Sequence, residues 1–215
     1  MLDYSQIELN NINLDDPDFD EQNNCFRSSV RYLNKDLTFK TASMRLVEKR
    51  ATNIDLEFLS SEPYFYETMS GIDLRICDVI LEKGEEWFEA KLSRDTITTL
   101  FRKTIKLPKT VNSMPYMTMN ISKDVLIEDK NKKNVTLDKI NLNTELTFIL
   151  KADSVVFFNN GYNLVYKVEK IHVQNYFCAV NKCLFDTESS GSESGNSSVS
   201  NGDDRVFLED TSDSE

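Results

Sequence analysis

Aromatic side chains alternate with lysine and arginine in the second half of this 215-residue chain. Planar rings can stack on nucleobases, whereas Lys and Arg can neutralise phosphates along a groove. Residues 154–173, SVVFFNNGYNLVYKVEKIHV, place four rings within ten positions. The same rings could instead fill a β-core, because most aromatic side chains of folded proteins are largely buried. The same residues support both interpretations. The secondary structure around the rings decides whether they are buried or exposed.

Neighbouring residues of a strand point to opposite faces, so in Phe157-Phe158 and in Trp87-Phe88 we expect one buried ring and one exposed ring. The candidates for stacking on bases are Trp87, Phe158, Tyr162 and Tyr166. The candidates for contacting phosphates are Lys91, Arg94, Arg102, Lys103, Lys151, Lys167 and Lys170. Each basic cluster could also be an ordinary solvated surface, as charge runs often are.

The charge is distributed unevenly along the chain. The formal net charge is −11, but residues 1–24 carry seven acids and no base, and residues 186–215 carry nine acids and one base. Residues 25–185 therefore have a net charge of +4. This pattern predicts an acidic mobile arm (1–24), a mildly basic folded domain (25–185) and a disordered, acidic Ser/Gly-rich tail (186–215).

Motifs of catalysis and of metal binding are absent from the sequence. There is no GxSxG, no glycine-rich phosphate loop and no HExxH, and the single histidine, His172, is expected to be structural. The four cysteines form no CxxC pair, so we expect no metal or other cofactor and a reducing, intracellular location. The sequence predicts no membrane span and no signal peptide. We therefore expect a binding protein and not an enzyme.

The folded domain is predicted to be mainly β. Strand patterns cover residues 37–49, 53–59, 71–83 and 115–121, and Asn159-Asn160-Gly161 should turn a long C-terminal hairpin. A bulge near Glu169-Lys170 would explain a slip in the apolar alternation of its second strand. One amphipathic helix is predicted in SRDTITTLFRKTI, with Ser93 as its N-cap. This order of elements favours an OB-like Greek-key barrel with one helix between its strands.

Three stretches resemble a known family, the single-stranded DNA-binding proteins of poxviruses, and suggest a divergent insect-virus member. They are the hairpin SVVFFNNGYNLVYKVEKI, the stretch LSRDTITTLFRKTIKLPKTVNSMPYMTMNI and the acidic C-terminal tail. The resemblance covers about half of the chain. It implies an OB-fold protein without catalytic activity that coats single-stranded DNA during replication and recombination in viral factories of the host cytoplasm. It also implies cooperative binding and self-association.

Two other functions remain open from the residues themselves. One is an acidic viral adaptor or virion protein whose β-domain binds protein partners. The other is an accessory factor of replication or late transcription that contacts DNA only within a complex. Within the acidic tail, the apolar triplet Val206, Phe207 and Leu208 is the candidate docking site for replication proteins. The tail could also occupy a basic groove of its own chain and compete with DNA.

Overall fold

The computed structural model describes residues 1–108 and 110–175, and these residues form a mainly β body with two helices. Its eleven strands are β1 (Leu2–Asp3), β2 (Ile12–Leu14), β3 (Asp18–Asp20), β4 (Cys25–Tyr32), β5 (Lys35–Lys40), β6 (Met44–Lys49), β7 (Asn53–Phe58), β8 (Tyr116–Asn120), β9 (Leu126–Glu128), β10 (Glu145–Phe158) and β11 (Gly161–Asn175). The helices α1 (Pro63–Phe88) and α2 (Arg94–Leu100) lie in sequence between β7 and β8. The predicted fold class is confirmed.

The sheet follows the order β1-β5-β4-β10-β6-β7-β8, and β11 pairs with β10. The stretch 101–106 then connects the two ends of a ring of strands. The amide of Arg102 donates to the Tyr162 carbonyl of β11 at 2.8 Å, and the amide of Lys106 donates to the Tyr116 carbonyl of β8, also at 2.8 Å. The path β11-β10-β6-β7-β8 is thereby closed into an OB-like barrel, which removes the free edges that open sheets expose.

The predicted C-terminal hairpin is confirmed. Phe158 pairs with Gly161 across the turn, and the ladder continues antiparallel to Glu145 and Asn175. The predicted bulge is also present, because Ile149 pairs with Lys170 whereas Leu150 pairs with Val168, which leaves Glu169 as the additional residue. The bulge restores the phase of the strand, so Ile171 and Val173 join the core as Tyr162, Leu164, Tyr166 and Val168 do.

The predicted strand over residues 71–83 is wrong, because this stretch belongs to α1. Its apolar residues at Ile72, Leu74 and Ile76 fit an alternating strand, but the buried set follows a helical spacing. That set is Phe65, Met69, Ile72, Asp73, Ile76, Cys77, Val79, Ile80 and Gly84. Leu74 remains 57% exposed. Pro63 stands in the first turn, where the missing amide hydrogen costs nothing, and it is the start signal of this helix.

The predicted helix after Ser93 is confirmed but is shorter than its amphipathic pattern suggests. The Ser93 hydroxyl accepts a hydrogen bond from the Thr96 amide at 3.1 Å, as an N-cap does. The helix ends at Leu100, because the following residues pair with strands and adopt an extended conformation. Gly161 permits this close approach, since a Cβ at that position would collide with the Leu100 carbonyl oxygen.

The N-terminal segment 1–24 differs from the expected mobile arm. Ile12 and Leu14 of β2 are buried and pair with β4 opposite Tyr32 and Val30. The acids of the segment also find basic partners, since Asp15 accepts a hydrogen bond from the Arg31 guanidinium at 2.7 Å. Apolar burial and these ion pairs attach the segment to the barrel wall.

None of the helices in the described part of the chain is long and apolar enough to cross a membrane. Within residues 1–108 and 110–175, no group of three or more His, Cys, Asp or Glu side chains could hold a metal ion. Cys25 and Cys77 are buried free thiols.

Candidate nucleic-acid interface

A groove with a basic lining lies where the stretch 101–106 meets β8 and β11. We call it the basic groove. Its volume is about 200 Å³. The polar residues along it are Arg102, Lys103, Thr104, Lys106, Thr118, Asn120 and Asn163, and the buried Tyr166 also lines it. Its described lining includes no Asp or Glu.

Asp73 of α1 anchors the stretch that supplies the three cations. Its carboxylate accepts hydrogen bonds from the Thr104 amide at 2.9 Å and from the Thr104 hydroxyl at 2.7 Å. Asp73 is only 7% exposed, and burial raises its pKa to about 6 in spite of these two bonds and the nearby Lys103. Both bonds hold Thr104 against the helix, so its neighbours Arg102, Lys103 and Lys106 project into solvent.

Two of the cations lie over aromatic rings. The Arg102 guanidinium carbon is 5.3 Å from the centre of the Phe158 ring, and the Lys106 ammonium is 5.7 Å from the centre of the Tyr116 ring. Polar contacts hold each cation in place, since Arg102 donates to Asn160 at 2.7 Å and Lys106 donates to Thr118 at 2.7 Å. Phe158 remains 44% exposed. A cation beside an exposed ring is the pairing that can bind a phosphate and its base together.

The outward face of β11 extends the basic groove along the barrel. Asn163 and Val165 line the groove, and Lys167 is the next residue on the same face of the strand. Lys151 is its partner on β10. Asn163 and Lys167 are about 13 Å apart at ~3.3 Å per residue, which corresponds to a few nucleotides of an extended strand. A backbone that enters beside Arg102 could thus continue towards Lys167.

Tyr162 and Tyr166, both predicted to stack on bases, lie in the core. They are 4% and 8% exposed, and burial raises the pKa of each phenol well above its ordinary value. The Tyr162 hydroxyl donates to the Ile97 carbonyl at 2.9 Å, and its ring packs against Phe101. Neither ring can stack on a base in this conformation, because both occupy the inward face of β11.

Trp87 lies on the opposite side of the hairpin from the basic groove. Its indole nitrogen donates to Asp16 at 3.2 Å, and its ring contacts Phe157, which points away from Phe158 as expected for adjacent strand residues. The expectation that Trp87 and Phe88 are neighbouring residues of a strand is wrong, because both belong to the last turn of α1.

Of the other residues predicted to contact phosphates, three form ion pairs and one lies apart from the groove. Arg94 forms an ion pair with Asp78, Lys151 with Asp36 at 2.8 Å, and Lys170 with Glu128 at 2.9 Å. Lys91 is exposed in the connection between α1 and α2 and does not line the groove. Arg102 and Lys103 are thus the two predicted cations that line the basic groove, and Arg102 also lies over the Phe158 ring.

The structure adds residues that the sequence interpretation did not select for the site. They are Lys106, Tyr116, Thr118, Asn120 and Asn163. Their signal was present in part, because Tyr116, Thr118 and Asn120 alternate with the buried Met117 and Met119 of β8. The predicted docking residues Val206, Phe207 and Leu208 lie outside the described residues.

Comparisons with known proteins give structural likenesses only. No family model matches the chain, and no curated protein matches it. The single-stranded DNA-binding protein from bacteriophage Enc34 is similar in structure, at 11% identity and a TM-score of 0.43 over 80% of this chain and 97% of that protein. The gp2.5 single-stranded DNA-binding protein encoded by bacteriophage T7 is similar at 9% identity and a TM-score of 0.47, over 73% of this chain and 100% of that protein. The resemblance to poxvirus proteins stays a prediction. The function is therefore inferred from the residues of the groove.

Proposed function

We propose that this protein binds single-stranded DNA without sequence preference through the basic groove. In this proposal it protects single strands during replication and recombination of a large DNA virus, in the host cytoplasm. The observation that carries the proposal is the pair of cation–aromatic contacts, Arg102 with Phe158 and Lys106 with Tyr116, beside a groove whose described lining contains no Asp or Glu.

The exposed ring favours a single strand over a duplex. Phe158 projects into solvent next to Arg102, and a ring in this position can stack only on a base that is not already stacked inside a duplex. The polar residues that line the groove are amides, hydroxyls and cations, which can contact phosphates and base edges of any sequence. Such a set gives affinity with little discrimination between sequences.

A catalytic role has less support than binding. Asp73 has a raised pKa and lies beside a cavity, which is a feature of some active sites. Its oxygens, however, are occupied by the amide and the hydroxyl of Thr104. The residue therefore supports the backbone of the groove, and we propose that the protein is not an enzyme.

Fluorescence anisotropy with a labelled oligo-dT tests the proposal. We expect the full-length protein to bind oligo-dT and a mixed sequence with similar affinity and to bind a duplex more weakly. Phe158→Ala should weaken binding by about 1–3 kcal/mol, the usual contribution of one stacked base. Tyr64→Ala is the matched control, because it removes another exposed ring (73% exposed) that does not line the groove.

The same titration separates this proposal from the alternative of an acidic adaptor that binds only proteins. An adaptor would leave oligo-dT unbound at low salt. Equal losses in the Phe158 and Tyr64 variants would also contradict the proposal, because the groove would then have no special part in binding.

A further inference from the structure

A pair of exposed rings stands on the acidic N-terminal edge of the barrel, outside the basic groove. Phe19 of β3 and Phe26 of β4 are 51% and 50% exposed, with ring centres 5.2 Å apart. Acidic residues flank them on β3 and in the following turn, namely Asp18, Asp20 and Glu21. Arg27, the nearest base, is already paired with Asp20 and Asp153. We call Phe19 and Phe26 with these three acids the acidic knob.

A large apolar cavity lies on the other side of the stretch 101–106 from the basic groove. Its volume is about 590 Å³. We call it the apolar pocket; its apolar lining includes Tyr66, Leu74, Phe101, Ile105, Leu107 and Pro115. Leu74 and Leu107 are 57% and 86% exposed, and Lys103 and Lys106 also line the cavity. An apolar cavity of about 150 Å³ holds a benzene ring, so this one has room for both knob rings.

The two surfaces are complementary in shape and in charge. The knob offers two apolar rings beside three carboxylates, and the pocket offers an apolar hollow lined by Lys103 and Lys106. The pocket also has one acid in its lining, Asp73, whose oxygens are bonded to Thr104. They cannot meet within one molecule. Asp16, next to the knob, is bonded to Trp87 at the C-terminal end of α1, whereas Leu74 of the pocket is about 20 Å away along that helix at ~1.5 Å per residue.

We propose that the acidic knob of one copy inserts into the apolar pocket of a second copy. Because the two surfaces differ, each copy would keep one free knob and one free pocket, and the contact would extend head to tail into an open chain. The rings supply apolar burial, and Asp18 and Glu21 approach Lys103 and Lys106. The inference does not depend on DNA binding, because self-association can be measured without DNA.

Sedimentation velocity of the full-length protein without DNA, from micromolar to submillimolar concentration, tests the proposal. We expect species larger than a dimer that grow with concentration and shrink with added salt. Phe19→Ser removes one of the two knob rings, and Leu74→Glu places a negative charge in the pocket. Both residues are at least half exposed, so both variants should fold, as circular dichroism would show. Each variant alone should self-associate at least about tenfold more weakly than the wild type. For Phe19→Ser, the loss of one buried ring corresponds to about 1.4 kcal/mol or more.

Mixing the two variants is the decisive experiment. The Leu74→Glu protein still carries a knob and the Phe19→Ser protein still carries a pocket, so an equimolar mixture should form a dimer and nothing larger. A wild-type protein that stays monomeric overturns the proposal, as does a mixture that stays monomeric. If Phe19→Ser associates as the wild type does while Leu74→Glu does not, another segment fills the pocket and the proposal is wrong.

Discussion

Asp73 makes the stability of the barrel depend on pH in a direction that can be worked out from the structure. Burial raises its pKa from the ordinary 3.8 to about 6. Between these two values the folded chain keeps a proton that the unfolded chain has released, so the free energy of unfolding falls as pH rises. The stabilising contribution is complete below pH 3.8 and is lost above about pH 6. At about 1.4 kcal/mol per pKa unit it amounts to about 3 kcal/mol.

Replacing Asp73 with Asn removes this titration. The difference in unfolding free energy between the Asn variant and the wild type should rise by about 2 kcal/mol from about pH 4 to about pH 7, in favour of the variant. The amide also changes the Thr104 hydrogen bonds, but this effect is constant and cancels when two pH values are compared. The contributions of the other carboxyls cancel as well, because both proteins share them. Urea unfolding followed by circular dichroism at a series of pH values measures the difference.

Thr104→Val is a second variant for the same measurement, and its expected result is different. It removes the hydroxyl that donates to the carboxylate at 2.7 Å, and this bond lowers the pKa of Asp73. The pKa should therefore rise further, and the loss of stability should extend to higher pH. A difference between Asp73→Asn and the wild type that does not change with pH would refute the reasoning, because Asp73 would then titrate alike in both states.

Four further substitutions probe the hairpin. Gly161→Ala should cost about 2 kcal/mol of stability or more, because the residue has a φ of +143° and its new Cβ would meet the Leu100 carbonyl; chemical denaturation measures this. Tyr162→Phe should cost about 1 kcal/mol, because the buried hydrogen bond to the Ile97 carbonyl is lost. Tyr162→Ala should cost about 3–5 kcal/mol of folding stability, whereas Phe158→Ala should leave stability nearly unchanged and weaken DNA binding only. A Phe158 variant that unfolds as readily as the Tyr162→Ala variant would contradict this division of the rings.

The hairpin was predictable because its signals are local. Asn159 and Asn160 before Gly161 specify the turn, and the slip in alternation near Glu169 marks the bulge. The opposite orientations of Phe157 and Phe158 follow from the pleat of the strand alone.

Helix α1 was misassigned because its sequence fits two periodicities. Ile72, Leu74 and Ile76 alternate as in a strand, yet Met69, Ile72 and Ile76 also repeat at helical spacing. The longer stretch indicates a helix, because buried residues recur at helical spacing from Phe65 to Gly84. Pro63 was the local signal that marked its start.

The basic groove could be predicted only in part. Arg102 and Lys103 stood out as cations near aromatic residues, but an amphipathic pattern placed them on a helix. They lie instead on an extended stretch whose hydrogen bonds to Tyr162 and Tyr116 join segments distant in sequence. The burial of Tyr162 and Tyr166 had a local signal, because Leu164 and Val168 share their face of the strand, and the interpretation of both rings as stacking residues did not use it.

The salt dependence of binding to oligo-dT tests the central claim most directly. Arg102, Lys103 and Lys106 line the groove, and in the proposed function each contacts one phosphate. We therefore expect log K to fall against log salt with a slope of about −2, at about −0.7 per contact for a single strand. Lys106→Ala should reduce the steepness of the slope by about 0.7, whereas Lys130→Ala, an exposed lysine that does not line the groove, should leave it unchanged. A slope near zero, or equal slopes for the wild type and the Lys106 variant, would contradict single-strand binding in the basic groove.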